Sequence, residues 1–131
     1  MYKTILCAIE ASPEGSRVLT KASKLAKCFG SKLIVINVLP YTLLPKDYQK
    51  TLREDISPKI EKIAAPFAIS QKNCLIKVGK PYEIICKEAA KKEADLIVIG
   101  THSKKGLHSA IGSTATGVSN HAKCDVTLLR I

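Results

Sequence analysis

Residues 4–15 read TILCAIEASPEG. The first part, Thr4 to Ile9, is a short and almost wholly apolar run, as expected of a central parallel strand covered on both faces. Turn residues follow at once, and Ser12-Pro13 can cap and open a helix. From there Val18, Leu19, Ala22, Leu25, Ala26 and Phe29 recur at spacings of one, three and four. That is one apolar helix face, and Gly30 ends it. A buried strand handing over to an amphipathic helix is the first half of a βαβ unit.

Working outward, the same alternation repeats. Leu33 to Val38 is a second strand of the buried kind, and the Pro40 to Pro45 stretch breaks the pattern. From Asp47 a helical stripe runs through Tyr48, Leu52, Ile56, Ile60, Ile63 and Phe67. Pro58 is expected to kink it or to start a second helix behind Ser57. Cys74 to Val78 is a weaker strand, placed at a sheet edge. Gly79-Lys80-Pro81 opens a helix through Ile84, Ile85, Ala89 and Ala90. Asp95 leads into the apolar run Leu96 to Ile99, which stops at Gly100. A polar loop holding His102, Ser103, Lys104, Lys105, Gly106 and His108 extends to Gly112. A helix from about Ser113 to Ala122 and a last strand, Val126 to Leu129, follow. The connections are long enough for right-handed crossovers, so the chain reads as α/β, a doubly wound five-stranded parallel sheet with helices on both faces.

Composition agrees. The 131 residues are 46% apolar and 24% charged, the make-up of one globular domain with one sizeable core. No internal repeat or second-domain linker is present. Lys and Arg number 21 against 11 Asp and Glu, for a formal charge of +10, which favours anionic partners. The cations are scattered along the chain, however, and read as solvated helix faces more than as a nucleic-acid stripe. With Trp absent, 4 Tyr and 2 Phe, stacking platforms for single strands are sparse, so nucleic acid is not the expected partner. No run approaches membrane-spanning length, and nothing at the N-terminus reads as a signal peptide. The expectation is a soluble cytoplasmic protein. Of the five cysteines, Cys7, Cys74, Cys86 and Cys124 read as small buried hydrophobes in a reducing compartment, with Cys28 left open.

In an open α/β sheet, ligands bind at the carboxyl ends of strands where the winding reverses. The first strand contributes Ala8, Ile9, Glu10 and Ser12 there. The fourth contributes Gly100 and the loop to Gly112-Ser113-Thr114. Glycines at 100, 106 and 112 permit close backbone approach, two hydroxyls add acceptors and donors, and the amides opening the last helix point at whatever lies in front. This is phosphate-binding chemistry, although Gly112-Ser113 could equally be a plain helix start with Lys104 and Lys105 solvated. EASPEG lacks the three-glycine dinucleotide fingerprint, and no phosphate loop ending in Gly-Lys-Ser/Thr occurs. His102, His108 and His121 lack partners at ligand spacing, and His121 fits a helix carboxyl end. No nucleophile elbow surrounds Ser109 or Ser113.

Four stretches together resemble the universal stress protein family over essentially the whole chain: KTILCAIEASPEG, VGKPYEII, EADLIVIGTHS and IGSTATGVSNHAKCDVTLLR. The resemblance implies a sheet ordered 3-2-1-4-5, a homodimer, and in many members an ATP site. The nucleotide-binding branch carries Gly, two residues, Gly, nine residues, then Gly-Ser or Gly-Thr. Here Gly100 is followed by Ser103 and, eight residues later, Gly112-Ser113, so the second glycine is a serine and the loop is one residue short. Carried over position by position, the resemblance implies Ala8, Ile9 and Glu10 beside the nucleoside and Val38 against adenine. It implies Ile99 and Gly100 under the ribose, and Ser103, Gly112, Ser113 and Thr114 around the phosphates, with Mg²⁺ held through them. Glu10 stands where the family usually has Asp. The expected function is an ATP-binding, dimeric stress-response module with at most slow hydrolysis, pairing through the edge strand Val126 to Leu129. Alternatives are a dimeric interaction protein of the same fold that binds no nucleotide and, further off, a basic nucleic-acid-binding protein.

Overall fold

The computed structural model describes residues 1–40, 43–101 and 112–131. Its strands are β1 (Thr4–Ala8), β2 (Lys32–Leu39), β3 (Cys74–Val78), β4 (Leu96–Gly100) and β5 (Asp125–Leu129). The α-helices are α1 (Pro13–Phe29), α2 (Lys46–Ala64), α3 (Pro81–Lys91) and α4 (Ser113–His121), with short 3₁₀ turns at Ala65–Phe67 and Gln71–Asn73. The sheet order is β3-β2-β1-β4-β5, and all four neighbouring pairs are parallel. This is the expected architecture, with the first strand central and the third and last at the edges.

The apolar runs are explained by burial on both faces. Ile5, Cys7, Ile9, Val35, Leu96 and Val98 pack with Val18, Leu19 and Ala22 of α1 and Ile60 and Ala64 of α2. Leu6, Ile34, Ile36, Ile97 and Ile99 pack on the other face with Ile85 and Ala89 of α3 and Ala115 and Val118 of α4. Each fully buried Ile or Leu contributes about 1.5–3 kcal/mol over its exposed state.

The helix ends follow local chemistry. Ser12 caps α1 by accepting from the Gly15 amide at 3.3 Å, and Pro13 occupies its first turn. Gly30 closes it in the left-handed conformation at φ 63°, and the Ser31 amide donates to the Ala26 carbonyl at 2.8 Å. Phe29 departs from the buried face assigned to it: it is 39% exposed and packs edge-on against Tyr2, with ring centroids 5.2 Å apart.

One expectation is narrowed and another needs correction. α2 runs as one helix through Pro58, with no second helix begun behind Ser57. Pro58 and Glu54 are both exposed, so the carbonyl that Pro58 leaves without a donor lies on a solvated face. Among the cysteines assigned to the core, only Cys7 is fully buried; Cys74, Cys86 and Cys124 are half-buried and Cys28 is exposed. Cys74 starts an edge strand and Cys124 immediately precedes the other one, so neither has a sheet neighbour on its outer side.

Candidate functional site

The winding direction reverses between β1 and β4, because β2 and β3 lie to one side of β1 while β4 and β5 lie to the other. The carboxyl ends of these strands are level. Ala8 stands opposite Ile36 on one side and Ile99 on the other, and Gly100 stands opposite Leu129. The switch point therefore brings together the residues after Ala8 and those after Ile99.

The β1 side is held in place by its own chain. The Ile9 amide donates to the Ile36 carbonyl at 2.9 Å, extending the β1–β2 pairing one residue past the strand. The Ile9 carbonyl accepts from Asn37 Nδ2 at 2.8 Å. Glu10 is exposed, and its main chain lies against the first turn of α1. A Cβ on Gly15 would sit 1.8 Å from the Glu10 carbonyl oxygen, so glycine alone allows this approach. Ser12 then caps α1 and satisfies the Gly15 amide.

The β4 side differs. α4 starts at Gly112, whose φ of −63° and ψ of 160° any residue could adopt, and no side chain caps the helix. The first helical bond among the described residues there runs from the Thr116 amide to the Gly112 carbonyl at 3.0 Å. The amides of Ser113, Thr114 and Ala115 precede that bond and have no capping side chain among the described residues, which makes this helix start suited to an anion. Ser113 is exposed, Gly112 and Thr114 are half-buried, and Ala115 is buried.

The remaining candidates divide. Ala8 and Val38 are half-buried and Ile9 and Ile99 are 6% exposed, and Ala8, Val38 and Ile99 share the face covered by α3 and α4. Gly100 has a packing reason of its own, since a Cβ there would come within 2.7 Å of Val18 Cγ2 and 3.1 Å of Ile131 Cδ1. Ser103 lies outside the described residues, as do His102, Lys104, Lys105, Gly106, His108 and Ser109. His121 is at the helix end assigned to it. Its Nδ1 is 2.9 Å from the Gly117 carbonyl, and its ring lies 4.8 Å from that of Tyr82. Asn37 and Gly15 are the residues that the reading of the sequence missed. Asn37 was visible as the one polar residue inside LIVINVL, and Gly15 as a glycine in the first turn of a helix.

At the opposite, amino end of the sheet a cavity of about 360 Å³ is lined by Cys86, Ala89, Ala94, His121 and Cys124, among others. Burial pushes both thiols up, so at neutral pH they are protonated and serve as lining rather than as nucleophiles. The amino end is also where Asp95 Oδ2 accepts from the amides of Lys3 and Thr4 at 2.8 and 2.9 Å, tying β1 to the turn before β4. None of the helices among the described residues is long and apolar enough to cross a membrane.

Comparison with known proteins points the same way. Universal stress protein A homolog 2 from Coxiella burnetii is 30% identical over 140 residues, covering 99% of this chain and 96% of its own length. A universal stress protein solved in complex with cAMP superposes with a TM-score of 0.73 at 22% identity, covering 98% of this chain and 97% of its own. UspA from Lactobacillus plantarum gives a TM-score of 0.72 at 24% identity, with 98% of each chain covered. The family model for universal stress proteins matches residues 1–130, and with a parallel sheet in the order 3-2-1-4-5 the chain belongs to the universal stress protein family.

Proposed function

We propose that this protein binds ATP in the crevice between the Ala8–Glu10 segment and the Ile99–Thr114 segment, and works as a nucleotide-responsive, dimeric module of the stress response. The observation that carries the reading is the α4 start: a helix N-terminus at the switch point, opened by a glycine and capped by no side chain among the described residues. Main-chain donors of this kind suit a polyphosphate. In the reading, Gly112, Ser113 and Thr114 surround the phosphates with Ser103 from the adjoining loop, and Mg²⁺ supplies charge neutralisation through the phosphate oxygens. Ala8, Ile9 and Glu10 border the nucleoside, with the Glu10 carboxylate accepting from a ribose hydroxyl. Val38 lies against adenine, and Ile99 and Gly100 lie beneath the ribose. That a universal stress protein of the same fold has been solved in complex with cAMP supports an adenine nucleotide as the ligand.

No residue is assigned to catalysis, and any hydrolysis is slow. Dimerisation through Val126 to Leu129 is supported by the position of β5 at a sheet edge, where half-buried apolar side chains flank an unpaired row of backbone groups. The second reading is a dimeric interaction protein that binds no nucleotide. It is favoured by the Gly100 packing, which accounts for that glycine without a ligand, and by Ser103 in place of glycine.

The test is the small molecule released when freshly purified protein is denatured. Stoichiometric adenine nucleotide supports the first reading. Its absence, with stripped protein also failing to bind ATP, moves the assignment to the second.

A further inference from the structure

Asn37 is the one buried polar side chain of β2, and it is 8% exposed. Its Nδ2 donates to the Ile9 carbonyl at 2.8 Å, while its Oδ1 is buried with no hydrogen-bond partner among the described residues. Turning the amide over would set Oδ1 against the Ile9 carbonyl, acceptor against acceptor, so the bond to Ile9 fixes its orientation. An unpaired buried acceptor is unfavourable, and a leucine of similar volume would fill the layer without one. The Ile9 bond is what an apolar residue could not supply.

That bond has a defined consequence. Both backbone polar groups of Ile9 are held on β2, the amide by Ile36 and the carbonyl by Asn37. The peptide plane between Ile9 and Glu10 is therefore set from β2, and the Glu10 carbonyl is confined against Gly15. Glu10 projects into solvent from a main chain fixed on both sides of its Cα.

We propose that Asn37 is a positioning residue of the nucleotide site: by holding the Ile9 carbonyl it aims the Glu10 carboxylate at the ribose hydroxyls and so confers preference for a nucleotide that carries them. The inference rests on the reading of Glu10 given under the proposed function. A residue that only filled the core would affect every nucleotide alike, whereas one that aims Glu10 acts through the ribose.

The test is calorimetric titration with Mg²⁺ and either ATP or 2′,3′-dideoxy-ATP. The proteins are wild type, Glu10→Ala, Asn37→Leu and Asn37→Ala, each with its melting temperature recorded. Wild type is expected to favour ATP by about tenfold, the worth of one hydrogen bond to a charged group. Glu10→Ala removes that preference. Asn37→Leu is expected to remove it too, lowering ATP affinity while leaving dideoxy-ATP within about twofold, and adding Glu10→Ala to it costs nothing further. Asn37→Ala serves the same comparison if the leucine does not fold. An unchanged ATP preference in a folded Asn37 variant, or equal loss for both nucleotides, overturns the inference and leaves the nucleotide site standing. Loss of the cooperative fold in both Asn37 variants assigns the residue to folding alone and also overturns it. A wild type that binds neither nucleotide, or does not distinguish them, overturns the Glu10 reading, and this inference with it.

Discussion

Two of the helices that start at the carboxyl end of the sheet, α1 and α4, follow the strands that flank the switch point, and their first turns are built in opposite ways. At α1 the chain is closed on itself: Ser12 caps the Gly15 amide, Pro13 removes a donor, and Gly15 lies on the Glu10 carbonyl. At α4 a glycine stands at the cap, no side chain among the described residues caps the first amides, and the backbone is in an ordinary extended conformation. The contrast teaches that glycine has two uses here. Gly15 permits contact between parts of the same chain, so replacing it damages the fold. Gly112 stands before amides that no side chain among the described residues caps, so replacing it should damage binding and spare the fold.

The comparison can be broken first at the two glycines. Gly15→Val is expected to cost at least about 3 kcal/mol, the upper range for overpacking, because the obstructing atom is backbone and cannot swing aside. Gly112→Ala should change stability by less than about 1 kcal/mol. Urea denaturation of the two variants reads this directly, and similar midpoints for both would end the distinction. Next in size, Gly112→Asp gives α4 the side-chain cap it lacks. Its carboxylate would occupy the free amides and repel phosphate, so ATP affinity should fall by about tenfold or more while stability rises by a few tenths of a kcal/mol. Affinity unchanged in this variant would separate the nucleotide from the α4 start. Ser12→Ala removes the cap from the closed helix and should lower stability by about 1 kcal/mol with ATP affinity retained.

The smallest effect lies at the far end of the sheet. The Asp95 carboxyl is held below its ordinary value by the amides of Thr4 and then Lys3. A carboxylate whose value is lowered by folding stabilises fully above its unfolded value of about 3.9, and loses that contribution as pH falls through the lowered one. Asp95→Asn should flatten the acid limb of the stability profile below about pH 4 and leave ATP binding at neutral pH unchanged. An unaltered acid limb would show that these exposed bonds contribute nothing measurable.

What could be read from the sequence was local. Residues 4–9, 33–38 and 96–99 announced buried strands because runs of Ile, Leu and Val need cover on both faces, and Ser12-Pro13 and Gly30 announced the ends of α1 by their own backbone chemistry. The errors and omissions came where a partner distant in sequence decides. Phe29 found Tyr2 outside the core, and three cysteines were left half-buried by their positions around the sheet. Gly100 was read as room for a ligand, and its second reason, the close packing of Val18 and Ile131, needed the fold. Asn37 was plain as an interruption of LIVINVL, but its purpose depends on Ile9, which only the β1–β2 pairing brings within reach. The position of the switch point was legible because it follows from strand order. The bonds that shape it were not.

The central claim is that unsatisfied main-chain donors at the α4 start bind the phosphates of ATP. Calorimetric titration of stripped protein with ATP and Mg²⁺, run on wild type, Ser113→Ala and Gly112→Val, tests it most directly. Wild type should bind. Ser113→Ala should weaken binding by about 1 kcal/mol, the usual worth of one hydrogen bond. Gly112→Val should abolish binding with its melting temperature little changed, because valine can adopt the conformation at 112 but obstructs the approach to the amides. No heat from wild type at millimolar nucleotide, or equal affinity in Gly112→Val, would contradict the account and place this chain in the branch of the family that binds no nucleotide.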